Sequence, residues 1–375
     1  MITSLQPRRI KEGRIFRNMT QVDLAEALGI SKQAISQYET GVITPTPEIL
    51  SSMASLLDFP LAYFSKPYTQ DILTPVFFRK RKTTPKKLTE RYKTYIGWMT
   101  EIYSYIEEYI HLPELRLLTA EKVGYLPSEI AEIATKLRRH WGLGDGPISN
   151  LTLLLENNGI LISKVDLDPS KADACSVFFT SPTTEKRPMI FLTSGTTAVR
   201  SRRDLAHELG HQVLHSWMDK EEFNKNEEIV EREAETFASY FLMPEAAMRR
   251  ECYTVSNINS LFLLKSRWGA SAQSILYHLS ETGCLSESMV ERLKNQFYRK
   301  GWRKHEPGDD DLPQEKPELI KDAITMLVDH HVKTSEEILD DLSMPSDDVA
   351  ALCGTAPNFF VRSKIINKPK LCLIK

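Results

Sequence analysis

The segment "LAHELGHQVLH", from Leu205 to His215, places two histidines four residues apart with a glutamate directly after the first. Residues four apart lie on one face of an α-helix, so His207 and His211 can direct imidazole nitrogens at a single ion. Glu208 lies roughly 100° around the helix from His207. That position is too far round for a third ligand but suits a general base. The segment therefore predicts a zinc site with the chemistry of a peptidase.

A glutamate-type zinc peptidase requires a third protein ligand from a following helix. Downstream, "EEIVEREAETFASYFLMPE" predicts such a helix, with Glu231, Glu233 and Glu235 near its start. The Gly and His that follow the metal motif in metzincins are missing, which disfavours that arrangement. His215 is expected to support or pack against the site, because its angular drift from the first histidine is large.

The N-terminal segment "MTQVDLAEALGISKQAISQYETG" predicts two short helices joined by a tight turn. Thr20 caps the first helix, Gly29 suits the left-handed turn at its end, and Ser31 caps the second helix. Polar side chains at the exposed start of the second helix suit pairing with base edges in a major groove. The residues expected to face outward there are Lys32, Gln33, Ser36 and Gln37.

This segment resembles the helix-turn-helix of the Cro and phage-repressor (XRE) family. The resemblance implies that Gln21, which opens the first helix, braces against a phosphate of double-stranded DNA. It also implies an operator with two half-sites and a possible homodimer, because the family often binds palindromic sites as dimers.

Three separated motifs resemble, in order and spacing, the ImmA/IrrE family of metallopeptidases over about Ile133 to Pro244. They are "LRRHWGLGDGPISNLTLLLENNGILI", "RSRRDLAHELGHQVLH" and "EREAETFASYFLMP". The resemblance implies Zn²⁺ as cofactor, with His207 and His211 as ligands and Glu208 as general base and acid. The glutamate of the family's "EA" pair falls on Glu233, which is the implied third ligand. The chain departs from the family in having Glu235 where asparagine is usual, so Glu231 stays an alternative.

Composition limits where such a protein can work. A length of 375 residues suggests two or three domains, and 41% hydrophobic with 26% charged residues is typical of a soluble globular protein. Five scattered cysteines form no disulfide framework, and no apolar run reaches the roughly 18 residues that span a bilayer. We therefore expect a cytoplasmic protein with no membrane segment. Because the net charge is only -2, DNA contact requires a local patch such as the basic run Arg79 to Lys87.

The expected fold class is mainly α, with an α+β zinc-peptidase-like domain. Residues 1–67 are predicted to form a helix-turn-helix domain of five-helix type, and 68–127 a basic linker with an aromatic-rich helix. Residues 128–250 are predicted to form the peptidase-like domain, in which the strands "ILISKV", "CSVFFT" and "MIFLTS" build a small central sheet beside the helix of the metal motif. Residues 251–375 are predicted to be a helical extension that serves as a docking module.

The aromatic-rich helix allows two interpretations. Its aromatic and aliphatic side chains recur at steps of three and four and make one face, which packs either on its own core or, less favoured, on a second copy. The residues of this face are Tyr95, Trp98, Ile102, Tyr105 and Tyr109.

Two function classes fit these observations. In the first, a DNA-bound regulator uses its zinc site to cleave a repressor, an antitoxin or itself, and so switches genes of a mobile element or a stress response. In the second, the chain is a one-component transcription factor whose peptidase-like domain has little or no activity and senses a ligand or a partner.

Overall fold

A computed structural model of the chain describes residues 5–67, 77–78, 86–165, 175–179, 187–303 and 305–360. Most of the basic run and of the predicted linker lies outside these residues. The chain divides into two compact units. The first contains the described residues within 1–70, 85–110 and 320–375, and the second contains those within 71–84 and 111–319. Among the described helices, none combines the length and hydropathy needed to cross a membrane.

The described elements follow one another in chain order. The helices are α1 (Pro7–Phe16), α2 (Gln21–Leu28), α3 (Lys32–Thr40), α4 (Pro47–Leu57), α5 (Lys86–Glu107), α6 (Pro127–His140), α7 (Leu151–Asn157), α8 (Ala198–Leu214), α9 (Lys220–Lys225), α10 (Glu227–Leu242), α11 (Glu245–Glu251), α12 (Ile258–Trp268), α13 (Ala272–Glu281), α14 (Glu287–Lys300), α15 (Leu319–Asp329), α16 (Ser335–Leu342) and α17 (Ser346–Cys353). The strands are β1 (Phe77–Phe78), β2 (Leu161–Val165), β3 (Cys175–Phe179) and β4 (Arg187–Thr193). The predicted fold class, mainly α with one small sheet, is confirmed.

Local signals define the helix-turn-helix of the first unit. Thr20 and Asp23 form a reciprocal capping box, in which each side chain accepts a hydrogen bond from the other's backbone N–H. Gly29 ends α2 with a φ of 66°, a left-handed conformation that glycine adopts without steric cost. Ser31 then accepts a hydrogen bond from the Ala34 N–H and starts α3. The predicted helix, turn and helix therefore form where the sequence places them.

The aromatic-rich helix α5 completes the core of the first unit. The Trp98 ring lies 4.0 Å from that of Phe16 and 5.5 Å from that of Phe59, between ring centroids. Trp98 and Ile102 are fully buried, whereas Tyr109 lies beyond the end of α5 and is 38% exposed. The interpretation of this face as core packing accounts for the structure without a second copy.

The C-terminal helices α15, α16 and α17 belong to the same unit as the helix-turn-helix. Arg17, which caps the end of α1, binds Asp348 of α17 through two parallel hydrogen bonds of 3.0 and 2.7 Å. The hydroxyl of Tyr105 donates to Asp341 of α16 at 3.0 Å. Two acidic residues of this segment, Asp341 and Asp348, therefore hold it against the rest of the first unit.

The sheet of the second unit has the order β1-β3-β4-β2, with β2 parallel to β4 and the other pairs antiparallel. The three predicted strands are those that form β2, β3 and β4. Every residue of β4 is buried, which fits an interior strand with a helix beside it. The four predicted segments stay predictions as functional domains. In the structure, residues 251–318 belong to the unit that contains the sheet, whereas the later helices belong to the unit that contains α5.

Helices α8 and α10 pack unusually closely at Gly210. A Cβ built on Gly210 would lie 3.0 Å from the Ala234 carbonyl oxygen and 3.2 Å from the Phe237 Cβ. A side chain there would push the two helices apart, so glycine permits the approach. This contact brings the start of α10 beside the histidines of α8.

Beyond α11, a buried ion cluster fixes the helical part of the second unit. Helix α12 ends at Trp268, followed by Gly269 with a φ of 60°, and the Ser271 side chain caps the start of α13. Lys265 of α12, only 1% exposed, binds the carboxylates of Glu306 and Asp309. Both carboxylates are also buried, so removal of the lysine leaves them uncompensated.

We therefore expect Lys265→Ala to lower the free energy of unfolding of the second unit by about 3–5 kcal/mol. Arg267→Ala, on the same helix, removes an exposed ion pair with Glu251 and should cost less than about 1 kcal/mol. Urea unfolding followed by hydrogen exchange at α12 and α13 measures both changes. Equal losses for the two variants would contradict this account of the cluster.

Candidate functional site

The side chains of the metal motif converge on one point between α8 and α10. Nε2 of His207 lies 3.0 Å from Nε2 of His211. The two carboxylate oxygens of Glu231 each lie 3.5 Å from one of these nitrogens. The histidines are almost fully buried, whereas the Glu231 side chain is 24% exposed, so the site opens to solvent on the side of α10.

The donor set and its spacing fit a zinc ion. Ligands held at about 2.1 Å in a tetrahedral arrangement lie about 3.4 Å from one another. The separations of 3.0 and 3.5 Å between the two nitrogens and the carboxylate oxygens agree with this value. Two imidazoles and one carboxylate are also the donor types of catalytic zinc sites, which leave a fourth position open. His207, His211 and Glu231 are thus the residues that would hold the ion.

The structure favours Glu231 over Glu233, the third ligand that the family resemblance implies. The structure brings Glu231, not Glu233, to the two histidines, because residues two apart on a helix point about 200° apart. The carboxylate of Glu233 instead accepts hydrogen bonds from the Tyr125 N–H at 2.5 Å and from His215 at 2.9 Å.

His215 and Glu233 support the site from behind. Nδ1 of His211 lies 3.2 Å from Nδ1 of His215, whose Nε2 faces the Glu233 carboxylate. Because that carboxylate accepts only, His215 carries its proton on Nε2 and accepts the His211 N–H at Nδ1. This arrangement fixes the His211 tautomer with Nε2 free toward the metal position. Burial lowers the pKa of His215, which keeps the ring neutral as this role requires.

Carboxylates on α10 also face His207. Glu235 lies 3.6 Å from its Nδ1. Burial disfavours protonation of His207, but Glu231 and Glu235 outweigh it and raise the pKa to about 9. Burial also opposes ionisation of Glu235, yet His207 and Arg203 lower its pKa to about 2. The cluster therefore suits a cation, and a metal ion bound there would replace a proton.

Glu208 occupies the position expected of a general base and has a partner from the sheet. The hydroxyl of Ser176 in β3 donates to its Oε2 at 2.5 Å, and both side chains are buried. This hydrogen bond fixes the orientation of the carboxylate. No local pattern in the sequence links Ser176 to a residue 32 positions downstream. The alternation of strand β3 gives only the face on which its side chain lies.

The residues predicted for DNA contact lie together on the first unit. Lys32 and Gln33 are exposed at the start of α3, whereas Ser36 and Gln37 are partly buried. Gln21, at the start of α2, donates from Nε2 to Glu39 at 2.8 Å. Glu39 also binds Arg14 of α1 through two hydrogen bonds, so this buried carboxylate ties α1, α2 and α3 together.

Comparisons with known proteins agree with this division of the chain. Residues 10–64 match the family model described as Helix-turn-helix, and residues 155–280 match that of the IrrE N-terminal-like domain of the peptidases. The second match ends beyond residue 250, the predicted end of the peptidase-like domain. No curated protein matches the chain significantly.

Two solved structures are also similar to this chain. A Mycobacterium tuberculosis transcriptional regulator has 14% identity and a TM-score of 0.28, covering 48% of this chain and 51% of its own. Bacillus thuringiensis PlcR, in complex with the peptide PapR7 and DNA, has 10% identity and a TM-score of 0.15, covering 90% of this chain and 98% of its own. The chain thus spans about half the length of the first. The family matches alone confirm the two resemblances found in the sequence.

The two candidate third ligands can be separated by metal analysis. Glu231→Gln removes a ligand atom, so we expect loss of stoichiometric zinc after reconstitution and dialysis. Glu233→Gln disturbs only the hydrogen bond that supports His211 through His215. This variant should keep the site but bind zinc about 10–100-fold more weakly. Competition with a chromophoric chelator measures both affinities. Zinc retained by Glu231→Gln but lost by Glu233→Gln would support Glu233, the residue implied by the family resemblance, as the third ligand.

Proposed function

Because the chain joins a helix-turn-helix domain of XRE type to an IrrE-like domain of a peptidase family, we propose that it is a DNA-bound regulator with a zinc-dependent endopeptidase. One observation supports the enzyme most strongly. His207, His211 and Glu231 converge within ligand distance of one another, and Glu208 follows His207 on the same helix. The proposed substrate is a repressor, an antitoxin or the chain itself.

The proposed reaction is hydrolysis of a peptide bond. A zinc ion held by the three ligands would make water more acidic and polarise the scissile carbonyl. Glu208 takes the proton of the attacking water and returns it to the leaving amine. Ser176 holds the Glu208 carboxylate in place, and His215 with Glu233 holds His211. The chain's own residues therefore supply the proton transfer and its orientation.

The proposed role of the first unit is to place the peptidase at an operator. The start of α3 enters the major groove of double-stranded DNA, where Gln33 and Gln37 read base edges. Lys32 and Gln21 contact phosphates, and two chains bind a palindromic site as a homodimer. Binding at an operator gives the peptidase a high effective concentration of a neighbouring repressor. Cleavage in trans, or within the linker between about Lys66 and Lys87, then ends occupancy of the operator.

A second candidate function is that of a sensor without proteolysis. Glu208 is only 2% exposed and already accepts a short hydrogen bond from Ser176. A carboxylate engaged in this way suits a structural metal site whose occupancy, or whose contact with a partner, changes DNA binding. The test of the first function decides between the two.

Glu208→Gln keeps the size of the side chain and removes the base. We expect this variant to bind zinc and operator as wild type does, and to cleave a substrate repressor about 10²–10⁴-fold more slowly. In a reporter strain, it should fail to release the operator on induction. Mass spectrometry of the chain and of candidate repressors incubated with zinc identifies the product. Derepression by Glu208→Gln equal to that of wild type would favour the sensor function.

Neighbouring residues on α3 should differ in what they contribute to DNA binding. Gln33→Ala should relax specificity at one base pair at a cost of about 1–3 kcal/mol. Lys32→Ala should weaken binding to all sequences and reduce the salt slope by about one. The full-length chain is the appropriate material, because α5 and α15–α17 belong to the same unit as the helix-turn-helix. A uniform loss for Gln33→Ala would contradict its role in base contact.

A further inference from the structure

A cleft of about 750 Å³ lies in the second unit beside the candidate metal site. Helices α8, α10, α13 and α14 form its walls together with the turn that follows α14. Its charged and aromatic lining residues are Arg203, Glu235, Tyr277, Lys294, Tyr298 and Arg303. Cavities of this size bind substrates and other ligands in many proteins.

The lining of the cleft has an excess of positive charge. Its only acidic residue among those that the structure describes is Glu235, whose carboxylate accepts hydrogen bonds from Arg203 at 2.9 and 2.5 Å. Lys294 and Arg303 are exposed, and within the described part of the chain neither forms an ion pair. These two cations are therefore available to a ligand, and the cleft suits an anionic one.

Glu235 connects the cleft to the metal site. It lines the cleft through its contact with Arg203 and lies 3.6 Å from Nδ1 of His207. A ligand in the cleft therefore lies next to the residues that would act on a peptide bond. A peptide whose scissile bond reached the metal position could extend into the cleft with the residues that flank this bond.

The other lining groups suit a peptide. The rings of Tyr277 and Tyr298 are 54% and 71% exposed and can pack on the side chains of a peptide. Lys294 and Tyr298 lie four residues apart, on one face of α14. The remaining polar groups include the hydroxyls of Ser239 and Ser274. These groups can bind peptide backbone and carboxylates together.

We propose that this cleft binds an acidic peptide segment, and that the substrate of the peptidase has acidic residues flanking its scissile bond. This inference rests on the proposed function and deepens it. Lys294 and Arg303 are the residues that determine the preference. The same charge repels the chain's own basic run Arg79 to Lys87, which favours a separate acidic substrate over cleavage of the linker.

Binding can be tested without turnover, in the zinc-loaded full-length chain with Glu208→Gln. The probes are three fluorescein-labelled twelve-residue peptides: one rich in Asp and Glu, one neutral, and one that contains the basic run Arg79 to Lys87. We expect the acidic peptide to bind at least about tenfold more tightly than the other two, as measured by anisotropy. Its affinity should fall as salt rises from 50 to 300 mM.

Charge reversal then identifies the surface. Lys294→Glu with Arg303→Glu should weaken the acidic peptide about tenfold or more. The matched control is Arg299→Glu with Lys300→Glu, which changes the net charge equally on exposed residues of α14 outside the cleft. This control should leave the affinity within about twofold. Because all four positions are exposed, we expect both charge-reversed proteins to fold, and circular dichroism checks this. The salt dependence of peptide binding by the protein without charge reversal gives a second measurement.

The results separate this inference from the proposed function. Equal binding of the three peptides, no binding of any, or equal losses in the two charge-reversed proteins would overturn the assignment of the cleft. Preferential binding of the acidic peptide by a protein that cleaves nothing would support the assignment of the cleft and contradict the proposed peptidase function. Cleavage by the wild-type chain without a preference for acidic substrates would support the peptidase function and contradict the assignment of the cleft.

Discussion

The close packing of α8 on α10 at Gly210 is the constraint on which the candidate site depends. Any side chain at this position would meet the backbone of α10 at 3.0 Å, so the two helices approach only because the residue is glycine. The approach places Glu231 between the two histidines and Glu235 beside the first. One missing Cβ thus sets the ligand geometry, the charge at His207 and the wall that the metal site shares with the cleft.

The same packing explains why three nearby glutamates have three different surroundings. On α10, Glu231 and Glu235 share a face, whereas Glu233 points about 200° from Glu231 and meets His215. The histidine then holds His211 by a hydrogen bond between their Nδ1 atoms. Both faces of α10 therefore serve one site. Glu231 and Glu235 lie beside the histidines of the metal motif, and Glu233, through His215, fixes the tautomer of His211.

Much of the local structure was accessible from the sequence because short-range rules decide it. The capping box at Thr20, the glycine turn at Gly29 and the cap at Ser271 depend on neighbours within four residues. The three strands were predicted by their apolar runs, and the pair of His207 and His211 by helical spacing. The role of α5 was open, since one aromatic face fits a core, the favoured interpretation, or a dimer, and only the position of Phe16 and Phe59 against Trp98 decided it.

The sequence by itself determined the helix-turn-helix, the helix of the metal motif and its two histidines, because periodicity, caps and fixed spacing act along the chain. Only the tertiary structure decided which glutamate lies beside the two histidines, which residue contacts Glu208 and which residues line the cleft. Ser176 meets Glu208 through the register of β3 against β4 and the packing of α8, and the packing of four helices brings Lys294 and Arg203 to the lining of one cleft. These residues lie 32 and 91 positions apart, and no local pattern encodes the angle at which two helices face each other.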